Sequence, residues 1–261
     1  LSPTARDVIY PGCGRTGKRV IAQGGAANLI TIMPDCNVNA TVRGMMTSFF
    51  GNAGQRCLAG QTMIVVGDDK FYNEFMDEIT NAAKNIILGN GLDESVQMGP
   101  VRDASKKEGI IKYIETAEKE GAKIRLDGRY PKIKDDYPDT CFLGPTIMEN
   151  VPRDSICIHE EIFGPTMSVI RAKDLDEAIE ISNENRYQNG NAIFTDSGKN
   201  ARKFQYESRS GNIGINIGIV APMAFFPFSG AGDSFYGTLH TQGKEAIRFF
   251  TESKVCIHRW I

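Results

Sequence analysis

The sequence predicts an α/β fold in which a mostly parallel sheet is flanked by helices. Two observations lead to this prediction. After residue 60, short apolar segments alternate with longer segments whose apolar residues recur at helical spacing, and such alternation is typical of parallel strands joined by helices. The composition, with 41% hydrophobic and 24% charged residues in a chain of 261, is that of a globular protein with a sizeable core.

The elements can be assigned in order along the chain. The first long helix covers residues 37–50, where Val38 and Val42 begin an apolar face and Asp35 or Asn37 can cap the start. The other predicted helices are 69–87, 103–120, 175–185 and 199–207. The predicted strands are 62–66, 123–126, 142–148, 167–171, 192–195 and 212–216, with a polar surface loop at 132–139.

Charge and cysteine content narrow the classes of partner and compartment. The chain has 30 basic and 32 acidic residues, and this balance gives no reason to expect nucleic acid or an anionic membrane as partner. Six cysteines occur without a CxxC pair, so neither a metal site nor a disulfide framework is predicted. Residues 213–228 form the longest apolar stretch, which Pro and Gly interrupt and which is too short to cross a bilayer. We expect a cytoplasmic protein, or a mitochondrial matrix protein in a eukaryote.

The sequence GCGRTG at residues 12–17 has the spelling of a phosphate-binding glycine loop. Such a loop needs a strand before the glycines and a helix after them, so that the phosphate meets a helix N-terminus. Here we expect the opposite order, with a helix over residues 4–10 that ends at Pro11 and Gly12, and a short strand over 19–22. The motif is therefore interpreted as a turn between a helix and a strand.

Cys57 has a sequence context that differs from that of a buried structural cysteine, the commonest role of an unpaired cysteine. Small residues at positions 51–54 leave the backbone free to turn tightly, and Arg56 brings a positive charge next to the sulfur. Both features favour an accessible thiolate. Cys157 and Cys256, which lie between isoleucine or valine neighbours, have the pattern of packed residues instead.

A nucleophilic cysteine can serve a protease, an acyl transferase or an aldehyde-oxidising enzyme, and histidines help to choose between them. The chain has three, His159, His240 and His258, and none lies in a convincing Cys-His protease context. His159 is the best placed, but the six residues that follow it, EEIFGP at 160–165, point to a different family.

The segments FFGNAGQRC at residues 49–57 and EEIFGP at 160–165 are similar to two motifs of the aldehyde dehydrogenase superfamily. Two further stretches, GGAANLITIMPD at 24–35 and SFYGTLHTQGKEAIRFFTESK at 234–254, resemble the CoA-acylating (methyl)malonate-semialdehyde dehydrogenase branch. Together the four motifs span most of the chain in the family's order. The chain thus resembles the C-terminal catalytic half of such an enzyme, which implies an aldehyde-dehydrogenase-like catalytic domain and a C-terminal oligomerisation strand.

The resemblance implies a catalytic role for Cys57 and a cofactor-binding role for two residues of EEIFGP. In this family the cysteine attacks the aldehyde carbon, the adduct passes a hydride to NAD or NADP, and the resulting thioester is transferred to water or to coenzyme A. By the same comparison, Glu161 accepts hydrogen bonds from the nicotinamide ribose and Phe163 packs near the nicotinamide ring. Taken alone, these two side chains would be interpreted as a loop carboxylate and a core aromatic residue.

Arg56 and Ala22 bear on the substrate and on the acyl acceptor. Arg56 is interpreted as an electrostatic activator or ion-pair partner, or else as the group that binds a substrate carboxylate through two parallel hydrogen bonds, the role that the semialdehyde branch implies. Hydrolytic relatives have a glutamate where this chain has Ala22. Water needs such a base, whereas a thiol ionises enough to attack unaided, so Ala22 favours coenzyme A as the acceptor.

The resemblance also implies a division of the chain. Residues 1–25 resemble an edge of the dinucleotide-binding domain, 26–225 the catalytic domain, 226–252 a segment that packs on the cofactor domain, and 253–261 an oligomerisation strand. We expect a homo-oligomer, either a dimer or a tetramer, with a small aldehyde as substrate and a complementary N-terminal polypeptide as a further partner. Two alternatives remain open: a non-acylating dehydrogenase for another small aldehyde, and a truncated chain that is inactive without its N-terminal half.

Overall fold

The computed structural model describes residues 4–136 and 141–261, so the first three residues of the predicted dinucleotide edge and residues 137–139 of the predicted loop lie outside the described residues. The strands are β1 (Ile21–Gln23), β2 (Asn28–Ile32), β3 (Gly60–Val66), β4 (Lys123–Leu126), β5 (Thr146–Glu149), β6 (Thr166–Ala172), β7 (Gly190–Phe194), β8 (Asn212–Ile215) and β9 (Phe235–Gly237). The α-helices are α1 (Tyr10–Arg15), α2 (Val38–Met45), α3 (Asp69–Lys84), α4 (Ala104–Lys119), α5 (Ile156–His159), α6 (Leu175–Glu184), α7 (Gly198–Glu207) and α8 (Gly243–Phe250).

A seven-stranded sheet forms the centre of the described chain, in the order β4-β5-β6-β3-β2-β7-β8. Every neighbouring pair is parallel except β4 and β5, which confirms the predicted fold class. The middle strands β2 and β3 are buried along their whole length, as expected where a parallel sheet is covered on both faces. β2 has no counterpart among the predicted strands.

Side-chain caps fix the starts of the long helices. The Asn37 side chain accepts a hydrogen bond from the backbone N–H of Ala40, so Asn37 rather than Asp35 caps α2. Asp103 caps α4 in the same way. Each cap satisfies a backbone donor that the first helical turn leaves unpaired. The predicted helices are confirmed, with α3 ending at Lys84 rather than at residue 87.

The N-terminal helix is longer than predicted. A π-helical turn, Ala5–Ile9, continues directly into α1, so the helix passes through Pro11 and Gly12 and ends at Arg15. The prediction that Pro11 ends the helix is wrong: Pro11 lies at the junction where the π-helical turn passes into α1, and this irregular point of the hydrogen-bond ladder tolerates a missing N–H group. Residues 12–15 of the glycine motif therefore belong to the helix, and only Thr16 and Gly17 form the turn, whereas the predicted order of a helix before a strand is confirmed.

The C-terminal part of the chain contains one unexpected pairing and lacks one expected strand. β9 pairs antiparallel with β1, so part of the 226–252 segment packs on residues 21–23 of the same chain. The predicted strand at 253–261 is neither strand nor helix, and its residues are exposed. A strand requires a neighbour for its hydrogen-bond ladder, and none of the described residues pairs with this segment. Its role in oligomerisation stays a prediction.

The longest apolar stretch, residues 213–228, is divided between β8 and an irregular segment that follows it, as predicted. No helix within residues 4–136 and 141–261 is both long and apolar enough to span a membrane. The same two ranges contain no group of three or more His, Cys, Asp or Glu side chains placed to hold a metal ion.

Candidate active site

The loop that carries Cys57 makes a strained turn. α2 continues through a π-helical turn, Met46–Phe50, whose last three residues are buried, and the chain then reverses sharply. The φ angles are positive at three consecutive residues, with 55° at Asn52, 52° at Ala53 and 68° at Gly54. Left-handed backbone costs about 1–3 kcal/mol for a residue with a side chain, so the surrounding structure must enforce this turn.

Two sets of contacts hold the turn in place. Gly54 lies so close to the EEIFGP loop that a Cβ atom on it would stand 2.1 Å from the carbonyl oxygen of Gly164. Ser48 is fully buried, and its Oγ accepts a hydrogen bond from the N–H of Gly60 at 3.0 Å and donates to the carbonyl oxygen of Gly218 at 2.6 Å. The cysteine loop is therefore tied both to the start of β3 and to the EEIFGP motif.

Two buried asparagines hold the main chain at Cys57. The carbonyl oxygen of Cys57 accepts hydrogen bonds from Asn28 Nδ2 at 3.0 Å and from Asn189 Nδ2 at 2.8 Å. Asn28 begins β2 and Asn189 directly precedes β7, so the cysteine lies at the amino ends of parallel strands. Sequence reasoning missed both residues. The signal that could have found them is an amide residue next to a run that is otherwise apolar.

The surroundings of the Cys57 thiol are less activating than the sequence suggests. Burial has the largest effect and raises the pKa of the thiol. Hydrogen bonds from the backbone N–H groups of Cys57 and Leu58 lower this pKa, and the Glu161 carboxylate raises it. Arg56 is not among the groups that move the pKa, so the expected activation of the sulfur by its positive charge is not found.

The Arg56 side chain turns back along the loop, which explains this result. Its Nη1 donates to the carbonyl oxygen of Thr47 at 3.3 Å and packs against Gly51, where a Cβ atom would stand 2.6 Å away. Arg56 also lines a cavity together with Glu161. Binding of a substrate carboxylate by Arg56 stays a prediction.

Glu161 faces the segment that follows the paired glycines. Its Oε1 accepts a hydrogen bond from the N–H of Ala26 at 3.0 Å. Burial has the largest effect and raises the pKa of this carboxyl group, whereas the hydrogen bond from Ala26 and the charge of Lys106 lower the pKa. The EEIFGP loop is held by Gln61, a buried residue of β3 that sequence reasoning missed. Its Nε2 donates to the carbonyl oxygens of Cys157 and Glu160, and its Oε1 accepts a hydrogen bond from the N–H of Ile162.

Phe163 has a φ angle of 53°, a left-handed conformation that is unusual for an aromatic residue. Lys106 Nζ lies 5.9 Å from the centroid of the Phe163 ring, within the range of a cation–π interaction. Burial lowers the pKa of the Lys106 ammonium group. Sequence reasoning missed Lys106 because a lysine in the first turn of a helix is usually solvated.

One cavity brings three of the four predicted site residues together, namely Arg56, Glu161 and Phe163. Cys57 does not line this cavity, but it follows Arg56 directly and is close enough to Glu161 for the carboxylate to raise the pKa of the thiol. The structure therefore places a thiol, a carboxylate and an aromatic ring near the amino ends of the central strands.

The other cysteines of the described chain include one confirmed and one wrong prediction. Cys157 is completely buried, as predicted, and burial raises the pKa of its thiol to about 11. Cys256, also predicted to be packed, is exposed, because it lies in the C-terminal segment that pairs with no described strand. Of these three cysteines, Cys57 is the one beside the EEIFGP carboxylate.

The sequence profile of the aldehyde dehydrogenase family matches residues 2–256, and the chain belongs to that family. It is similar to malonate-semialdehyde dehydrogenase 1 of Oceanobacillus iheyensis, with 41% identity over 258 residues, and to the malonate-semialdehyde dehydrogenase of Lacticaseibacillus casei, with 45% identity over 269 residues. Both alignments cover 99% of this chain but 52% and 54% of the respective relatives. The chain thus spans about half the length of the curated relatives it matches.

Solved structures share this architecture. Methylmalonate-semialdehyde dehydrogenase from Oceanimonas doudoroffii superposes with a TM-score of 0.94 at 35% identity, over 99% of this chain and 52% of that one. Betaine aldehyde dehydrogenase from Staphylococcus aureus, in complex with NAD⁺, superposes with a TM-score of 0.87 at 26% identity, over 95% of this chain and 48% of that one. The predicted family and its fold are confirmed.

Proposed function

We propose that the protein containing this chain is an NAD-dependent, CoA-acylating dehydrogenase of a small semialdehyde, with Cys57 as its nucleophile. The observation that carries the proposal is the meeting of the Cys57 thiol, the Glu161 carboxylate and the Phe163 ring at the amino ends of the central strands. The names of the relatives support the semialdehyde as substrate class.

Cys57 acts first in this mechanism. Its thiol releases its proton to solvent, the sulfur bonds to the aldehyde carbon as the C=O π bond breaks, and the carbonyl oxygen takes up the negative charge. The backbone N–H groups of Cys57 and Leu58 lower the pKa of the thiol and so favour the thiolate. NAD, when bound, supplies the hydride acceptor that turns the adduct on Cys57 into a thioester.

The residues present fit a nicotinamide nucleotide. The Glu161 carboxylate lines the cavity and is held through one oxygen by the N–H of Ala26. A carboxylate in that position can accept hydrogen bonds from ribose hydroxyl groups. Phe163 lines the same cavity and presents an aromatic surface for a planar ring. The NAD⁺ complex of the betaine aldehyde dehydrogenase supports this assignment.

Ala22 is the reason to propose coenzyme A as the acyl acceptor. It lies in β1 opposite Tyr236 and is only 5% exposed, so this position has no carboxylate to activate water. A thiol with a pKa of about 8.5 ionises enough at neutral pH to attack a thioester without a base. Exchange of the acyl group from Cys57 to the acceptor thiol then frees the enzyme.

One observation favours a second candidate, a non-acylating aldehyde dehydrogenase. Glu161 lies close enough to Cys57 to raise the pKa of the thiol, and burial raises the pKa of its own carboxyl group. A carboxylate with a raised pKa beside an acyl-enzyme can take a proton from an attacking water molecule. In this alternative Glu161 replaces the base that Ala22 lacks, and the product is the free acid.

Arg56 is proposed to bind the carboxylate of the substrate. It lines the cavity next to Glu161, and its planar guanidinium group can bond both oxygens of a carboxylate. We further propose that the protein is a homo-oligomer in the cytoplasm, or in the mitochondrial matrix of a eukaryote.

The test is a product assay on the protein encoded by the complete reading frame that contains this chain. Formation of NADH from a carboxylated semialdehyde is followed with and without CoA, and the acyl product is identified by mass spectrometry. The proposal expects acyl-CoA, with little free acid when CoA is omitted. Free acid that forms as fast without CoA as acyl-CoA forms with it would favour the hydrolytic alternative.

Two variants test the nucleophile in the same assay. Cys57→Ala is expected to abolish turnover. Cys141→Ala is the matched control, because Cys141 is also partly buried but lies outside both the cysteine loop and the EEIFGP loop. Retained turnover in Cys57→Ala contradicts the proposed role of Cys57.

A further inference from the structure

We propose that Asn28 and Asn189 are positioning residues for the Cys57 nucleophile, because their side-chain amides fix the peptide group that joins Cys57 to Leu58. The inference rests on the proposed role of Cys57 as nucleophile. Asn28 lies within the 24–35 motif, but nothing in the sequence connects it with Asn189, and the fold brings the two together at the starts of two different strands.

The two amides converge on one carbonyl oxygen from different elements. Asn28 Nδ2 and Asn189 Nδ2 lie 3.0 and 2.8 Å from the carbonyl oxygen of Cys57. Asn28 Nδ2 also donates to the carbonyl oxygen of Ala59 at 2.7 Å, and Asn189 Nδ2 lies 3.4 Å from Asn28 Oδ1. The two asparagines are 5% and 8% exposed, so water competes little for these bonds.

The planarity of the peptide bond transmits this constraint to the sulfur. The carbonyl group of Cys57 and the N–H group of Leu58 belong to one peptide plane and point in opposite directions. Two donors on the oxygen therefore restrict rotation of the plane and hold in place the N–H group of Leu58, one of the two backbone groups that lower the pKa of the thiol. They also polarise the peptide, which makes the Leu58 N–H group a stronger donor. The Leu58 side chain, 2% exposed, anchors the far side of this peptide.

Loss of one amide is therefore expected to change the acidity of Cys57, whereas loss of a purely structural contact would change stability or access. Asn189→Ala is the more specific variant. Asn28 also donates to the carbonyl oxygen of Ala59, so replacement of Asn28 would disturb the start of β3 as well. The matched control is Asn191→Ala. Asn191 is also buried, lies two residues further along the chain, and donates to Ser208 Oγ at 3.2 Å.

The experiment measures alkylation of Cys57 by iodoacetamide between about pH 6 and 10 on the folded protein, with the label located by peptide mass spectrometry. The midpoint of the pH profile reports the acidity of the thiol, and the plateau at high pH reports access to it. For Asn189→Ala we expect a higher midpoint and a rate at pH 8 that is about three- to tenfold lower, with an unchanged plateau. Asn191→Ala should keep the original midpoint.

The proposal is overturned if folded Asn189→Ala keeps the original midpoint of the Cys57 alkylation profile. It is also overturned if Asn191→Ala shifts this midpoint by as much as Asn189→Ala does. If circular dichroism shows that Asn189→Ala is unfolded, Asn189→Ser, which keeps a shorter polar group, is compared with Asn191→Ala in the same way. The alkylation profile does not depend on turnover. An active Cys57→Ala enzyme would therefore refute the proposed function without altering the alkylation result.

Discussion

Replacing Gly54 with alanine tests the contact that joins the cysteine loop to the EEIFGP loop. A Cβ atom on Gly54 would stand 2.1 Å from the carbonyl oxygen and 2.5 Å from the carbonyl carbon of Gly164. Both are backbone atoms, so no side chain can rotate out of the way. The backbone of Gly54 also has a φ of 68°, which alanine adopts only with strain.

The expected loss of stability follows from these two effects. A left-handed alanine costs about 1–2 kcal/mol, and an overpacked buried contact costs about 1–3 kcal/mol. Together they predict that Gly54→Ala lowers the free energy of unfolding by about 2–5 kcal/mol. Because relief of the clash must separate the two loops, Cys57 should also move away from Glu161, and its alkylation profile should change.

Urea unfolding of Gly54→Ala and Gly109→Ala provides the assay. Gly109 lies inside α4, where an added Cβ atom would meet no neighbouring atom within 4 Å, so the same substitution should raise stability there by about 0.5–1 kcal/mol. The two alanine variants are therefore expected to move in opposite directions. If the free energy of unfolding of Gly54→Ala lies within about 0.5 kcal/mol of that of the original protein, the close approach of the two loops is refuted.

The remaining predictions concern charge, substrate and assembly. Glu161→Gln should stabilise the protein at neutral pH, because burial raises the pKa of the carboxyl group and makes its ionised form costly. The gain in the urea midpoint should shrink as the pH falls and the carboxyl group of the original protein becomes protonated. A gain that does not change with pH would contradict this cause. The same variant should lower the midpoint of Cys57 alkylation, since it removes a negative charge near the thiol. Arg56→Leu should reduce turnover of a carboxylated semialdehyde far more than turnover of propanal, and equal losses would exclude a carboxylate-binding role. The isolated chain should bind NAD weakly or not at all in calorimetry and should produce no NADH. Light scattering should show that it self-associates through exposed apolar residues such as Phe250 and Trp260. Micromolar NAD binding with steady NADH production would contradict this expectation.

The helices and most strands could be predicted because their signals are local. Apolar spacing and a capping residue such as Asp103 depend on near neighbours, and the structure confirms them. The family could be predicted because its motifs are contiguous. β2 was not predicted, although β7, which is equally short and equally buried, was. The end of the first helix was misplaced because Pro11 is tolerated where the π-helical turn passes into α1.

The sequence alone was sufficient to identify Cys57, Glu161 and Phe163 as candidates, since each lies in a recognisable run of residues. It could not show that Asn189 bonds the main chain of Cys57, because 132 residues separate the two and only the sheet brings them together. It also could not show that Arg56 donates to the carbonyl oxygen of Thr47, since adjacency along the chain does not determine side-chain direction. The acidity of the thiol depends on burial and on a carboxylate from another loop, and both are properties of the folded chain.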